Sequence, residues 1–196
     1  MLPLTRNFAY YLARGICSGG PVMAYRFRRS AAVLTAACLF VIAANPPCAL
    51  AREVVAFAGS NYSAGTIVVK TGERRLYYVL GDGHAFRYPV GVGKAGKAWT
   101  GTARIDGKYI KPAWLPPAEV RRDKPLLPNV IPGGSPRNPM GAAALTLSGG
   151  EYAIHGTNMP NSIGGFVSYG CIRMYNEDIL DLYGRVGVGT TVVVTR

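Results

Sequence analysis

Ile154-His155-Gly156-Thr157-Asn158-Met159-Pro160-Asn161-Ser162-Ile163-Gly164-Gly165-Phe166-Val167-Ser168-Tyr169-Gly170-Cys171-Ile172-Arg173-Met174 is the stretch from which the rest of the chain can be understood. A histidine closes the apolar run Tyr152-Ala153-Ile154 and meets Gly156, where the chain can turn or pack closely. Sixteen residues later Cys171 follows Gly170. A thiol attacks a carbonyl as thiolate, so it needs a base, a group that orients the base, and donors for the oxyanion. His155 suits the base. No Asp or Glu stands between His155 and Cys171, so the ring is oriented either by a backbone carbonyl or by a carboxylate from elsewhere in the chain. Gly170 allows close backbone approach, and the amides of Gly170 and Cys171 are candidate oxyanion donors. In an extended stretch Arg173 shares a side with Cys171 and can hold a substrate carboxylate with two hydrogen bonds. Ser168 adds a hydroxyl to the same loop.

The chain has four cysteines, and Cys17, Cys38 and Cys48 lie within the first 51 residues. That region reads as a secretory signal: Arg26, Arg28 and Arg29, then an apolar run over residues 31–44, a break at Asn45-Pro46-Pro47, and Ala49-Leu50-Ala51 as a cleavage site. The run is shorter than the roughly 20 residues of a membrane span, so no stable span is expected in the mature form. Counting from Met23 gives a leader of ordinary length, which leaves residues 1–22 upstream of an alternative start. The expected organisation is a signal at 1–51, a short linker at 52–65 and one domain at 66–196. The protein is then exported, to the periplasm or cell wall, with one thiol and nothing in its own chain to pair with it.

Seventeen of the 22 basic residues and all 10 acidic ones lie after residue 51, a net charge of +7. A basic exported domain fits an anionic partner or simple solubility, and nucleic acid is a poor partner outside the cell. One cysteine with two histidines cannot complete a usual zinc site, so no metal and no cofactor are expected. His84, beside Gly83, reads as a surface residue.

Short β-like runs dominate: 66–69, 75–80, 85–92, 142–147, 152–155 and 190–195, punctuated by turn residues, as in an antiparallel meander. Residues 111–139 hold eight prolines, which exclude central strands and long helices. This segment reads as a lid or a substrate-facing loop, with a helical turn or two at 117–122. After the cysteine, Ile179, Leu182, Tyr183 and Val186 form one apolar helix face, with Asn176 as its cap and Glu177 and Asp178 at its positive end.

The ordered pair Ile154-His155-Gly156-Thr157-Asn158 and Ser168-x-Gly170-Cys171-Ile172-Arg173-Met174 resembles the signature of the bacterial L,D-transpeptidase catalytic domain. Arg87-Tyr88-Pro89-Val90-Gly91-Val92-Gly93, Trp99-Thr100-Gly101, Pro112-Ala113-Trp114 and Asn138-Pro139-Met140-Gly141 resemble further family segments. The resemblance implies a mostly β, sandwich-like fold with one main helix after the cysteine. It implies Cys171 as nucleophile, His155 as base and the Gly156 carbonyl as its orienter. Arg173, Ser168, Gly170, Tyr169 and Asn158 would face the substrate.

The implied partners are peptidoglycan stem peptides, as donor and as amine acceptor. D-alanine leaves, a thioester forms and an amine resolves it into a 3→3 cross-link. Water as acceptor would make the enzyme an L,D-carboxypeptidase, and a lysine amine would attach an outer-membrane lipoprotein. A wall-binding module without catalysis is the alternative from another class. Many relatives carry histidine where this chain has Tyr169, so a second imidazole is absent and His155 is left as the base.

Overall fold

The computed structural model describes residues 52–57 and 61–196. The expected signal lies outside the described residues. Among the described residues eleven strands are formed: β1 Glu53–Ala56, β2 Ile67–Lys70, β3 Arg75–Gly81, β4 His84–Pro89, β5 Val92–Gly93, β6 Gly101–Ile110, β7 Ala143–Leu147, β8 Ala153–His155, β9 Phe166–Ser168, β10 Ile172–Arg173 and β11 Thr191–Thr195. Two short α-helices, α1 Ala118–Asp123 and α2 Asn176–Arg185, complete the set. The fold is mostly β with few helices, as the resemblance implied.

Nine strands hydrogen-bond in the order β1-β4-β3-β2-β11-β6-β7-β8-β10, and β5 pairs with β9. β6 is the corner. Its first half pairs with β11, its second half with β7, and the register shifts between Ile105 and Gly107. A bulge of this kind bends a strand and lets it pass from one sheet to another. Ile67, Val69 and Leu76 from one side then meet Leu145, Leu147 and Ile154 from the other, in one core.

β6 has no counterpart among the β-like runs of the sequence. It alternates Ala103, Ile105 and Gly107 inward with exposed Thr102, Arg104 and Asp106, and small inward residues hide a strand pattern. The meander holds for β2, β3 and β4, but β11 pairs parallel with β2 and β10 parallel with β8. Residues 52–65, expected as a linker, contain the edge strand β1, paired with β4.

α2 packs on β7 and β8 through Ile179 and Leu182, both fully buried, with Val186 beside them. Tyr88 on β4 donates to Asp181 at 2.6 Å, and Arg185 grips the same carboxylate at 2.7 and 2.9 Å. Arg185 and Tyr88 together hold the Asp181 carboxyl down at about 2. Asp178, in the first turn of α2 as expected, is buried, and burial first, then Glu177, pushes its carboxyl up to about 7. No helix among the described residues is long and apolar enough to cross a membrane.

Candidate active site

Two parallel strands bring the site together. β8 and β10 pair with Ile154 opposite Ile172 and His155 opposite Arg173. Residues opposite each other in a ladder share a face, and residues two apart along a strand share it too. His155, Arg173 and Cys171 therefore point the same way. All three line one cavity of about 360 Å³, with Ser168, Tyr169, Glu151, Tyr152 and the Pro139–Met140 turn.

Each backbone that carries these side chains is pinned. Arg173 exchanges both backbone hydrogen bonds with Gly91, at 2.8 and 2.9 Å. The Met174 amide donates to the His155 carbonyl at 2.8 Å. Ser168, buried, donates to the Cys171 carbonyl at 2.6 Å and accepts from the Gly170 amide at 3.1 Å. Trp99 stacks on Tyr152, with centroids 5.0 Å apart, and its indole N–H donates to the Gly170 carbonyl at 3.0 Å. Gly170 has φ +124°, and a Cβ there would collide with the Tyr152 ring. Only glycine fits.

Two expectations change on this geometry. Gly170 is buried and both its backbone groups are engaged, so its amide is not available to an oxyanion. It shapes the turn. The Cys171 amide remains the candidate donor. Asn158 does not line the Cys171 cavity. It is exposed and donates to the Pro136 carbonyl at 3.2 Å, at the far side of the Gly156 turn. Its neighbour Thr157 is the inward residue there.

His155 is buried and its Nδ1 lies 2.6 Å from the Gly156 carbonyl. A carbonyl only accepts, so Nδ1 carries the proton of the neutral ring and Nε2 keeps the lone pair. Burial above all, then the Arg173 charge opposite, lowers its pKa to about 4, against the pull of the Gly156 and Pro139 carbonyls. The Gly156 turn is held from outside. Asn176 Oδ1 accepts from the Ala142 and Thr157 amides at 3.0 and 3.1 Å, and its Nδ2 donates to the Thr157 carbonyl at 3.0 Å. Asn176 is thus the first residue of α2 and a strap across the turn; the helix cap is Tyr175, without a side-chain bond. The strap also explains Gly156, where a Cβ would collide with Asn176 Oδ1.

Burial raises the Cys171 thiol above its ordinary pKa, opposed by a hydrogen bond at Ala153 and by Arg173. Thiol and imidazole are therefore both neutral at rest. Burial likewise lowers Arg173, yet it stays cationic. Its Nε is buried without a hydrogen-bond partner among the described residues. A guanidinium on the wall of a cavity, with no acidic partner beside it among the described residues, suits an anionic ligand.

The lid is ordered. Trp114 and Ile131 exchange both backbone bonds at 2.8 Å. Buried Asn138 closes the neck, donating to the carbonyls of Pro112, Ile131 and Pro132 and accepting from the Met140 amide at 2.9 Å. From this frame Trp114, Pro117, Glu119 and Val120 reach the cavity. A second, more open cavity of about 950 Å³ approaches Cys171 from the side of Asp106, Tyr109 and Leu115. Among the described residues no cluster of three metal-ligating side chains occurs.

Several residues of this site escape sequence reasoning. Trp99, Tyr152 and Asn176 act through contacts made far along the chain. The indole and the amide carry signals of packing and of capping, not of support for a catalytic turn. A thiol, a neutral imidazole and a guanidinium on one cavity can together support acyl transfer through a thioester.

Residues 64–194 match the family model YkuD, described as the L,D-transpeptidase catalytic domain. The chain is 44% identical over 135 residues to the probable L,D-transpeptidase YbiS of Escherichia coli (strain K12), a match that covers 64% of this chain and 43% of that protein. It therefore spans less than half the length of that relative. An L,D-transpeptidase from Mycobacterium smegmatis aligns with a TM-score of 0.54 at 18% identity, over 67% of this chain and 58% of that one. The LD transpeptidase LdtMt1, solved in complex with imipenem, aligns at 0.51 and 15% identity, over 66% and 58%. These likenesses carry the fold, and the family match carries the classification. With its His155–Cys171 pair and its corner-bent sheet, the chain belongs to the YkuD family of L,D-transpeptidase catalytic domains.

Proposed function

We propose that the protein is an exported peptidoglycan L,D-transpeptidase that forms 3→3 cross-links through a thioester on Cys171. The observation that carries this is the register of β8 and β10, which puts His155, Cys171 and Arg173 on one face of one cavity.

Arg173, whose guanidinium lines the cavity, binds a carboxylate of the donor stem. His155 Nε2 takes the thiol proton as sulfur attacks the carbonyl carbon before the terminal D-alanine. The Gly156 and Pro139 carbonyls, which already favour the protonated ring, stabilise the imidazolium at that moment. The developing oxyanion faces the Cys171 amide. The C–N bond breaks, His155 returns its proton to the leaving amine, and D-alanine departs.

The acceptor amine then attacks the thioester and gives a proton to His155. The C–S bond breaks, the new amide forms and sulfur is reprotonated. The second cavity at Cys171 supports an acceptor that approaches apart from the donor. The lid over the first cavity keeps water from the thioester.

The leader at residues 1–51 directs export, and the net positive charge after it suits an anionic wall. The test is muropeptide analysis after incubating the purified protein with disaccharide tetrapeptide. A 3→3 dimer and free D-alanine are expected, with neither from Cys171→Ala. Tripeptide monomer as the sole product would make water the acceptor. A lipoprotein-linked muropeptide in cells, without dimer, would make a lysine the acceptor.

A further inference from the structure

The acyl-transfer cycle gives no task to Tyr169, the residue that stands where many relatives carry histidine. Its hydroxyl donates to Asp123 Oδ2 at 2.6 Å, at the end of α1. Lys94 completes the contact: its ammonium lies 3.9 Å from the Tyr169 ring centroid and 3.7 Å from the same carboxylate. One turn back along α1, Glu119 pairs with Lys97. Glu119 and Asp123 are four apart, so they lie on one side of the helix.

Both lysines stand on a loop fixed to the catalytic turn. The Lys94 amide donates to the Ser168 carbonyl at 2.9 Å, the Lys97 amide to the Lys94 carbonyl at 2.8 Å, and Trp99 to Gly170 at 3.0 Å. Val120, between the two acids, is buried, and with Pro117 and Glu119 it lines the cavity of Cys171. α1 is therefore bolted to the nucleophile's own loop through side chains that the chemistry leaves idle. Asp123 is held below its ordinary pKa first by the Tyr169 hydroxyl and then by Lys94, so the contact stays charged through neutral pH.

We propose that Tyr169 is a positioning residue for acyl transfer: through Asp123 it holds α1 as the roof of the Cys171 cavity, gripping the donor stem and keeping water from the thioester. An imidazole at this place ends short of where the phenol oxygen sits. The proposal rests on the acyl-transfer reading above.

The test compares the wild type with Tyr169→Phe, Asp123→Asn and the double variant, using a tetrapeptide donor and an amine acceptor. Intact-mass detection of the Cys171 acyl adduct serves as a separate control. Tyr169→Phe should raise KM for the donor roughly threefold with kcat nearly unchanged, and shift the partition from amine transfer towards hydrolysis by a similar factor, the size expected of an exposed contact. Asp123→Asn should do the same, and the double variant should be no worse than either, since both break one bond. High salt should bring the wild type towards the variants.

Wild-type KM and partition in both single variants, with Cys171 still acylated, would overturn the proposal. So would losses that add, or a loss of kcat that tracks a lowered Tm, the mark of a merely structural residue. Absence of any wild-type adduct would overturn the acyl-transfer reading itself.

Discussion

The floor and the roof of the cavity are built by opposite means. The floor is held by bonds aimed at backbone, buried or part-buried at Ser168 on the Gly170–Cys171 turn and Gly91 on Arg173, and nearer the surface at Asn176 on the Gly156–Thr157 turn. The roof meets the floor through side-chain charges that are exposed or half-buried, Asp123 with Lys94 and Glu119 with Lys97. Buried bonds leave their groups unsatisfied when broken, so they fix one geometry. Exposed ion pairs exchange with water at little cost. The side chains proposed to react are thus firmly placed, while access to them is adjustable.

Substitutions in the floor should break this contrast most severely. Replacing His155 by Ala removes the proposed base from a site where thiol and imidazole both rest neutral, and kcat/KM should fall by about 10²–10⁴, as steady-state transfer assays would show. Gly170→Ala forces a Cβ against Tyr152 at a left-handed φ. It should lower stability by about 1–3 kcal/mol by thermal or chemical denaturation and reduce kcat with it. Asn176→Ala frees two amides and a carbonyl around the Gly156 turn. A stability loss of about 1–3 kcal/mol is expected, with a fall in kcat rather than a rise in KM. The roof substitutions at Tyr169 and Asp123 should be smaller and should appear in KM and salt dependence.

Acidity sharpens the same contrast. With His155 lowered to about 4 and the thiol raised, the neutral pair persists above pH 4 until the thiol ionises. The acid limb of kcat/KM should therefore lie near 4 rather than near the ordinary histidine value. Alkylation of Cys171 by iodoacetamide should still be rising at about pH 9, with no plateau at neutral pH of the kind an imidazolium–thiolate pair gives. Beneath the floor, Asp178 is raised to about 7 in the fold. A carboxyl raised on folding destabilises progressively as pH climbs from its unfolded value to its folded one. Asp178→Asn should therefore raise Tm at about pH 8, and the gain should shrink towards about pH 4, by calorimetry.

Legibility in the sequence divides by distance in the same way. β2, β3 and the apolar face of α2 are written in local periodicity, and Ile179, Leu182 and Val186 are buried as that periodicity predicts. His155 and Cys171 stand out in the sequence because thiol chemistry needs a base and glycines stand beside both, and the structure brings the two to one cavity. The parallel pairing of β8 with β10 is not legible, because two short strands separated by the β9 excursion carry no local mark of register. β6 is hidden because Ala103 and Gly107 supply little apolar contrast. Asn176 has the local neighbours of a helix cap, whereas its partners Ala142 and Thr157 are set by tertiary packing. Gly170 has the sequence of an oxyanion donor, but the Ser168 hydroxyl occupies its amide. The latch from Tyr169 to Asp123 joins residues that no short-range pattern connects.

The central claim is that Cys171 carries the acyl group. Intact-mass measurement of the purified protein during turnover of a tetrapeptide donor tests it most directly. The wild type should gain the mass of the donor less D-alanine, mapped to Cys171, and the adduct should decay when an amine acceptor is added. Cys171→Ala should gain nothing. An adduct that survives in Cys171→Ala, or its absence from a folded wild type that still releases D-alanine, would contradict the account.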